Sequence, residues 1–403
     1  MVNIAILGYG TVGSGVFEVI RTNQEVINKR VGEELQIKYV LDLREFPGDP
    51  VSDVLTHDFE DIVNDEEVKI VVEVMGGIEP AYTFVKRSLL AGKSVATSNK
   101  ALVAKHGAEL LKIAKEKGIN FLFEASVGGG IPILRPLHSS LTGDVIEEIT
   151  GILNGTTNYM MTKMFYEGAN YDEVLKEAQD NGYAERNPEA DVEGHDACRK
   201  IAILASLVSG KKVDFEDIYC EGITKITVED MKYAKAMGMT IKLLASCKRD
   251  GEKMSAIVSP CLLNKNHPLF SVDGVFNSIF VHGNMLGDAM FYGSGAGKLP
   301  TASAVVGDVV DAAKHLNINI MKGWNPEKLQ LTDVKNLESR FFVRMSGSLE
   351  DASAKVQSVF GNVDAKVVTD GEFGFITDKM TEASYLEKAA EFDNILGMIR
   401  VRF

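Results

Sequence analysis

The chain has 403 residues, 45% apolar and 25% charged, with no long proline, serine or single-sign tract, which excludes wholesale disorder and favours two or three domains with their own cores. Its 57 acidic residues outnumber 43 basic ones, and a net charge of −14 opposes binding to nucleic acid or an anionic membrane, so a small-molecule partner is expected. The four cysteines (Cys198, Cys220, Cys247, Cys261) lack CxxC spacing and read as reduced thiols, while "MVNIAILGYG" shows no basic leader or cleavage site and no apolar run reaches membrane-span length; a soluble, cytoplasmic protein is expected.

The apolar run 2–7 meets "GYGTVGSGV", after which Val16, Val19 and Ile20 recur at helical spacing, predicting strand, glycine turn and helix. Gly8, Gly10 and Gly13 fit GxGxxG. The first permits the tight turn, the second lets the backbone approach a pyrophosphate, and the third lets helix pack on strand. Thr11 and Val12 then offer helix N-terminal amides to the phosphates. The next strand, "IKYVLD", ends at Asp42, placed to accept the adenosine ribose hydroxyls of NAD; Arg44 is placed to meet the 2′-phosphate of NADP, and both coenzymes stay open.

A continuous apolar run, "VKIVVEVMGG" (68–77), reads as a parallel strand covered on both faces, and "KSVATSNKAL" as the strand after a helix over 80–91. Alternating strands and helices predict a doubly wound parallel sheet of the Rossmann type, whose ligands lie beyond the carboxyl ends of its strands. Gly76, Asn99 and Lys100 fall at such ends, which places Lys100 near the nicotinamide half of a bound cofactor. A strand "NFLFEAS" (120–126) then runs into "VGGGIPIL", a turn-rich stretch whose carbonyls can hold a cation. "GILNGTTNYMMTKM" (151–164) gives strand, polar turn and helix start. Its Asn154, Thr156, Thr157 and Asn158 supply neutral hydrogen-bonding groups of the kind an amino-acid substrate needs.

From about Val192, apolar Ala197, Ile201, Leu204, Ala205 and Val208 line one face of a helix that Gly210 closes. Asp196 and Lys200, at i and i+4, share one stripe. Such a pair is either a solvated surface pair or an oriented amine that moves a proton. A metal cage of Asp191, His195 and Asp196 lacks the nitrogen and sulfur that transition metals prefer. Cys198, on the same helix, reads as a buried inert thiol, with a nucleophile as the alternative.

These stretches, with "EASVGGGIPIL", "GYAE…DVEGHDACRK" and "YGSGAGKLPTASAVVGDVVD", occur in an order that resembles the homoserine dehydrogenase family across residues 2 to about 311. The resemblance implies NAD(P)-dependent interconversion of L-homoserine and L-aspartate 4-semialdehyde in threonine and methionine biosynthesis. It implies Lys200 as the general acid/base, Asp196 as its orienting partner, Glu185 as the binder of the substrate ammonium with Asp191 beside it, and Lys100 reaching substrate or cofactor from the first domain. It also implies a monovalent cation, Na⁺ or K⁺, on Glu124 and the carbonyls of Val127, Gly129 and Ile131, a helix from about 300 to 316 whose start at Gly297 borders the cofactor, and dimers or tetramers formed through the middle sheet.

The domains expected are 1–130 plus 296–330 for the dinucleotide, 131–295 as an α+β substrate and dimerisation domain, and 336–403 as a βαββαβ module that resembles an ACT domain. In that module "NVDAKVVTD" is expected as a strand. Where ACT domains carry a DxPG turn this chain has "SGSLED", so a threonine effector site and a structural or oligomerising role both stand. Two rival functions are another amino-acid semialdehyde oxidoreductase, which in its acylating form needs a reactive cysteine, and a non-catalytic amino-acid sensor.

Overall fold

A computed structural model describes residues 1–402. Its chain divides into two compact units, one of residues 1–145, 202–215 and 291–329, the other of residues 146–201, 216–290 and those from 330 onward.

The first unit opens with β1 (Val2–Leu7), buried at every position as a strand covered on both faces must be, followed by α1 (Thr11–Thr22) and α2 (Gln24–Val31). Then come β2 (Leu35–Leu41), β3 (Leu55–Thr56), α3 (Phe59–Val63), β4 (Val68–Glu73), α4 (Ala81–Leu90), β5 (Ser94–Thr97), α5 (Lys100–Lys117) and β6 (Phe121–Leu122). The strands form a parallel six-stranded sheet in the order β3-β2-β1-β4-β5-β6. Chain reversal at β1/β4 makes that edge the switch point where doubly wound sheets bind nucleotides.

The strand expected over 120–126 stops at Leu122. Glu124 gives its N–H to Asp308 at 2.8 Å and turns its carboxylate onto the amides of residues 133–135, which takes its backbone out of the ladder.

The second unit begins with β7 (Ile146–Ile152), α6 (Gly155–Glu167), α7 (Tyr171–Asp180), α8 (Glu189–Val192) and α9 (His195–Ser209). The single helix expected from Val192 is broken at Gly194, whose φ of 81° ends the short α8 and lets α9 start in a new direction. After β8 (Lys211–Lys212), which belongs to the first unit, come β9 (Tyr219–Cys220), α10 (Val228–Ala236), β10 (Met239–Asp250), β11 (Lys253–Asn264), β12 (Phe276–Gly283) and β13 (Gly287–Ser294), and then α11 (Lys298–Lys314) and β14 (Asn325–Lys328), again of the first unit. The last elements are β15 (Glu338–Ser346), α12 (Leu349–Phe360), β16 (Glu372–Ile376), β17 (Met380–Thr381), α13 (Glu382–Ala389) and β18 (Ile395–Arg402).

The elements from β15 to β18 follow a βαββαβ order, but "NVDAKVVTD" is not one of the strands. Only a Lys366–Gly374 bridge marks it, and β17 takes the fourth place. Val363 and Ala365 are only partly buried against the core, and Val367 and Val368 are 58% and 36% exposed, so too little of a buried face is left to drive that stretch into a ladder.

The strands of the C-terminal segment also continue the middle sheet, whose order is β13-β12-β7-β10-β11-β18-β15-β16. Cys261–Leu263 pair in parallel with Arg400–Arg402. Two buried arginines reinforce the seam. Arg344 reaches Asp230 at 2.8 Å and Glu372 at 2.7 Å, and Arg400 reaches Glu382 and Glu221, both at 2.7 Å. Removing one partner of a buried pair of this kind costs about 3–5 kcal/mol.

Candidate functional site

In the first unit the site is made mostly of backbone. Gly8 has φ 97°, and a Cβ on Gly13 would stand 1.9 Å from the Gly8 carbonyl oxygen, so neither position accepts a side chain. A Cβ on Gly10 would meet nothing within 4 Å, which leaves room for a ligand in front of the turn. Gly10 caps α1 with no side-chain acceptor, and the amides of Thr11, Val12 and Gly13 are the first-turn donors that a helix cannot satisfy itself.

Gly297, with φ 119°, starts α11, which lies so close to α1 that a Cβ on Gly15 would stand 2.8 Å from the Lys298 carbonyl oxygen.

At the tip of β2 the two candidate coenzyme-selecting groups are bonded to each other. Arg44 donates from Nε to Asp42 Oδ1 and from Nη2 to Oδ2, each at 2.9 Å, while Tyr9 N–H donates to Oδ2 at 2.8 Å. The guanidinium, helped by the Tyr9 and Arg44 amides, holds the Asp42 carboxyl well below the usual carboxylate range.

Glu73, fully buried at the end of β4, was missed in the sequence. Its carboxylate accepts from Met75 N–H at 2.9 Å and from Thr97 Oγ1 at 2.6 Å, and burial pushes its pKa up. Thr97 Oγ1 takes the Asn99 N–H at 2.9 Å, and the Asn99 side chain donates to the Gly77 carbonyl at 2.6 Å. One carboxylate thereby ties the loop carrying Gly76, where φ is 78°, to the one carrying Asn99 and Lys100. The only sequence signal was an acidic residue closing an apolar strand.

In the second unit the site is made of side chains. Lys200, 8% exposed, donates to Asp196 Oδ2 and to the Leu153 carbonyl, each at 2.7 Å. Asn154 is the N-cap of α6, its Oδ1 accepting the Thr157 N–H at 2.9 Å. Its Nδ2 bridges Asp191 Oδ1 at 2.7 Å and Asp196 Oδ2 at 3.0 Å.

Four of the expected residues, Asn154, Asp191, Asp196 and Lys200, therefore form one hydrogen-bonded group. At 5% and 10% side-chain exposure for Asp196 and Lys200, it is no solvated surface pair. Thr156 bonds the Tyr183 carbonyl, Glu185 is exposed two residues further on, and Asn158 holds the carbonyls of Val272, Gly274 and Phe276 at 3.0–3.1 Å.

Both oxygens of the Glu124 carboxylate accept backbone N–H groups: Ile133 at 2.5 Å and Leu134 at 2.8 Å on Oε1, Arg135 at 2.7 Å on Oε2. The Gly128–Ile131 turn is tight, with the Ile131 N–H on the Gly128 carbonyl at 2.9 Å. Among the described residues, no cluster of His, Cys, Asp and Glu is arranged to hold a metal. Cys198 is buried and its thiol is pushed far up by a hydrogen bond to Cys220 and by burial, the opposite of an activated nucleophile. A cavity of about 820 Å³ in the second unit is lined by Ser246, Ser259, Arg400 and Arg402 among others and by none of the Lys200 group, so volume is no guide to the chemistry here.

A nucleotide-type sheet with its glycine turn, together with a buried amine set against a carboxylate, defines a nicotinamide-dependent oxidoreductase. The family description "Homoserine dehydrogenase, NAD binding domain" matches residues 8–124, and "Homoserine dehydrogenase" matches residues 132–310. The homoserine dehydrogenase of Bacillus subtilis is 44% identical over 89% of this chain and 84% of its own. A solved homoserine dehydrogenase from Thiobacillus denitrificans superimposes with a TM-score of 0.90 at 34% identity, covering 100% of this chain and 98% of that one. A hyperthermophilic archaeal homoserine dehydrogenase mutant, solved in complex with NADPH, aligns at TM-score 0.65 and 30% identity over 77% of this chain and 97% of its own.

The chain belongs to the homoserine dehydrogenase family, and it interconverts L-homoserine and L-aspartate 4-semialdehyde with an NAD(P) coenzyme. Among the described residues no helix is long and apolar enough to cross a membrane.

Proposed function

We propose that Lys200 is the proton shuttle of this reaction, and the observation that carries the reading is its burial against Asp196 and the Leu153 carbonyl. The coenzyme supplies the hydride in reduction and accepts it in oxidation. As hydride reaches the aldehyde carbon, negative charge develops on the carbonyl oxygen, and the Lys200 ammonium gives that oxygen its proton; in oxidation the amine takes the hydroxyl proton back. Asp196 aims the amine, and Asn154 aims Asp196 while joining it to Asp191.

Asp191 and Glu185 take the substrate ammonium, Thr156 shapes the wall beside Tyr183, and Lys100 contacts substrate or coenzyme. Gly8, Gly10, Thr11, Val12, Gly13, Gly76, Asn99 and Gly297 frame the coenzyme. In a homoserine assay with each coenzyme, Lys200→Ala is expected to lose about 10³-fold in kcat with coenzyme Kd unchanged. A loss under about tenfold removes Lys200 from the proton path.

For the coenzyme, Asp42 neutralised by Arg44 fits both forms: the guanidinium removes the repulsion a 2′-phosphate would meet, and the carboxylate remains for a ribose hydroxyl when the arginine moves aside. Na⁺ or K⁺ is held by Glu124 and the carbonyls of Val127, Gly129 and Ile131, the three amides on the Glu124 carboxylate fixing its orientation. Exchange into choline buffer is expected to lower the Tm; an unchanged Tm and activity refutes the cation.

For residues 336–402 we infer a structural and oligomerising role, supported by the shared sheet and the two buried arginines. A threonine titration that shifts activity or Tm would overturn this in favour of an effector site. A homodimer through the middle sheet is tested by sedimentation, and a cytoplasmic location, consistent with the unlinked thiols, by fractionation.

A further inference from the structure

Two cysteines outside the reaction chemistry meet at the start of α9. Cys220 ends β9, its Sγ donating to the Glu193 carbonyl at 3.3 Å, and a Cβ on Gly194 would lie 3.1 Å from that sulfur. Cys198 gives its backbone N–H to the Gly194 carbonyl at 2.9 Å, so both residues are built around the α8–α9 break. Their thiols are hydrogen-bonded to each other. Cys198 is 4% exposed, whereas Cys220 is half-buried. That hydrogen bond lowers the Cys220 thiol below its ordinary range and raises Cys198, so the less buried of the two is the more acidic.

We propose that Cys198 and Cys220 are a peroxide-responsive pair whose disulfide switches off turnover. The Cys220 thiolate attacks a peroxide oxygen; an S–O bond forms, the O–O bond breaks, and the leaving oxygen departs as water after taking a proton. Oxidation of Cys220 removes the thiol–thiol hydrogen bond that holds Cys198 up, and Cys198 Sγ, giving its proton to the departing hydroxyl, then attacks Cys220 Sγ; the S–S bond forms, the S–O bond breaks, and the second water leaves. Two thiols are oxidised by two electrons and one peroxide is reduced to two waters. A small dithiol reverses the change, as expected of a cytosolic sensing disulfide.

A disulfide replaces a hydrogen-bonded contact by a covalent one of fixed geometry, so its closure ties the first turn of α9 to β9. Cys198 lies two residues from both Asp196 and Lys200, and Ile223 N–H is already fastened to the Val192 carbonyl at 2.8 Å, so any adjustment is taken up at the break at Gly194 and in that turn. A displacement of about 1 Å at a reacting group costs on the order of 10²-fold in rate.

The effect on rate rests on the Lys200 and Asp196 reading; formation of the bond does not. In full-length protein treated with hydrogen peroxide, non-reducing peptide mapping is expected to show a Cys198–Cys220 link, with kcat falling about 10- to 100-fold and returning with dithiothreitol. Cys220→Ser and, separately, Cys198→Ala are expected to keep their rates through the same treatment, with Cys247 and Cys261 unlinked. The proposal is overturned if no link appears at doses that inactivate, if either variant is inactivated like the parent, or if linked protein keeps its kcat. The link is read by mass alone, so a failed Lys200→Ala prediction is separable from a failed switch.

Discussion

The two units make their sites from different materials. The first offers a ligand backbone: a glycine turn, unsatisfied helix amides, and loops set by a carboxylate that itself points inward. In the second, a few side chains interlock, with Lys200, Asp196, Asn154 and Asp191 each holding the next. A backbone site tolerates almost any neighbouring side chain but no added atom at Gly8 or Gly13. A side-chain site tolerates changes of shape around it but no loss of a member, because each polar group left buried without its partner carries its full desolvation cost.

Substitutions in the two places should therefore fail in opposite ways. The largest effect in the first unit is expected of Gly13→Ala, whose methyl would occupy space 1.9 Å from the Gly8 carbonyl oxygen. Coenzyme Kd should rise at least about 100-fold and stability fall by about 1–3 kcal/mol, read by coenzyme titration and thermal melting. A Gly13→Ala protein that bound coenzyme normally would break the comparison.

Asn154→Ala comes next. It removes an N-cap worth about 1 kcal/mol and the bridge between two acids, so kcat should drop about 10- to 100-fold while coenzyme affinity holds. The kcat-against-Kd split is the measurement, since simple loss of stability would leave the turnover of folded enzyme unchanged.

Arg44→Ala should be milder: KM for NADP(H) rising about tenfold, one charge-assisted contact, with that for NAD(H) changing little. Smallest of all is the pH effect at Asp42. Its folded pKa lies below the unfolded value of roughly 3.9, so the stabilisation it brings is present above that value and is lost as pH falls through the folded pKa. Its contribution to coenzyme preference should then be flat from roughly pH 5 to 9; a preference that titrated in this window would point to another group.

The same contrast explains what could be read from the chain. GYGTVG announces its turn because only glycine fits at Gly8 and Gly13, and parallel strands announce themselves by being apolar throughout. Asp196 and Lys200 are suggestive at i and i+4, yet whether that stripe faces solvent depends on β7 and α6, which bring Leu153 and Asn154 to it from elsewhere in the chain. The family resemblance, not spacing, singled them out.

Glu73 and the break at Gly194 escaped because the groups they meet, Thr97 at the end of β5 and Cys220 at the end of β9, lie more than twenty residues away in the chain. "NFLFEAS" and "NVDAKVVTD" both look like strands; one is interrupted by a carboxylate that prefers amides, the other has too little of a face to bury. The seam between β11 and β18 left no local trace at all.

That seam bears on how the molecule is assembled. β11 emerges from synthesis well before β18, and everything from β12 to α13 must be made before the last strand slots in between β11 and β15. Until then the Cys261–Leu263 end of β11, beyond the stretch that β9 already covers, lies open to any other extended chain, and closing it demands a distant contact of the slow kind. The second unit should thus mature later than the nucleotide sheet, and crowded nascent chains would stick to one another along that unfinished border.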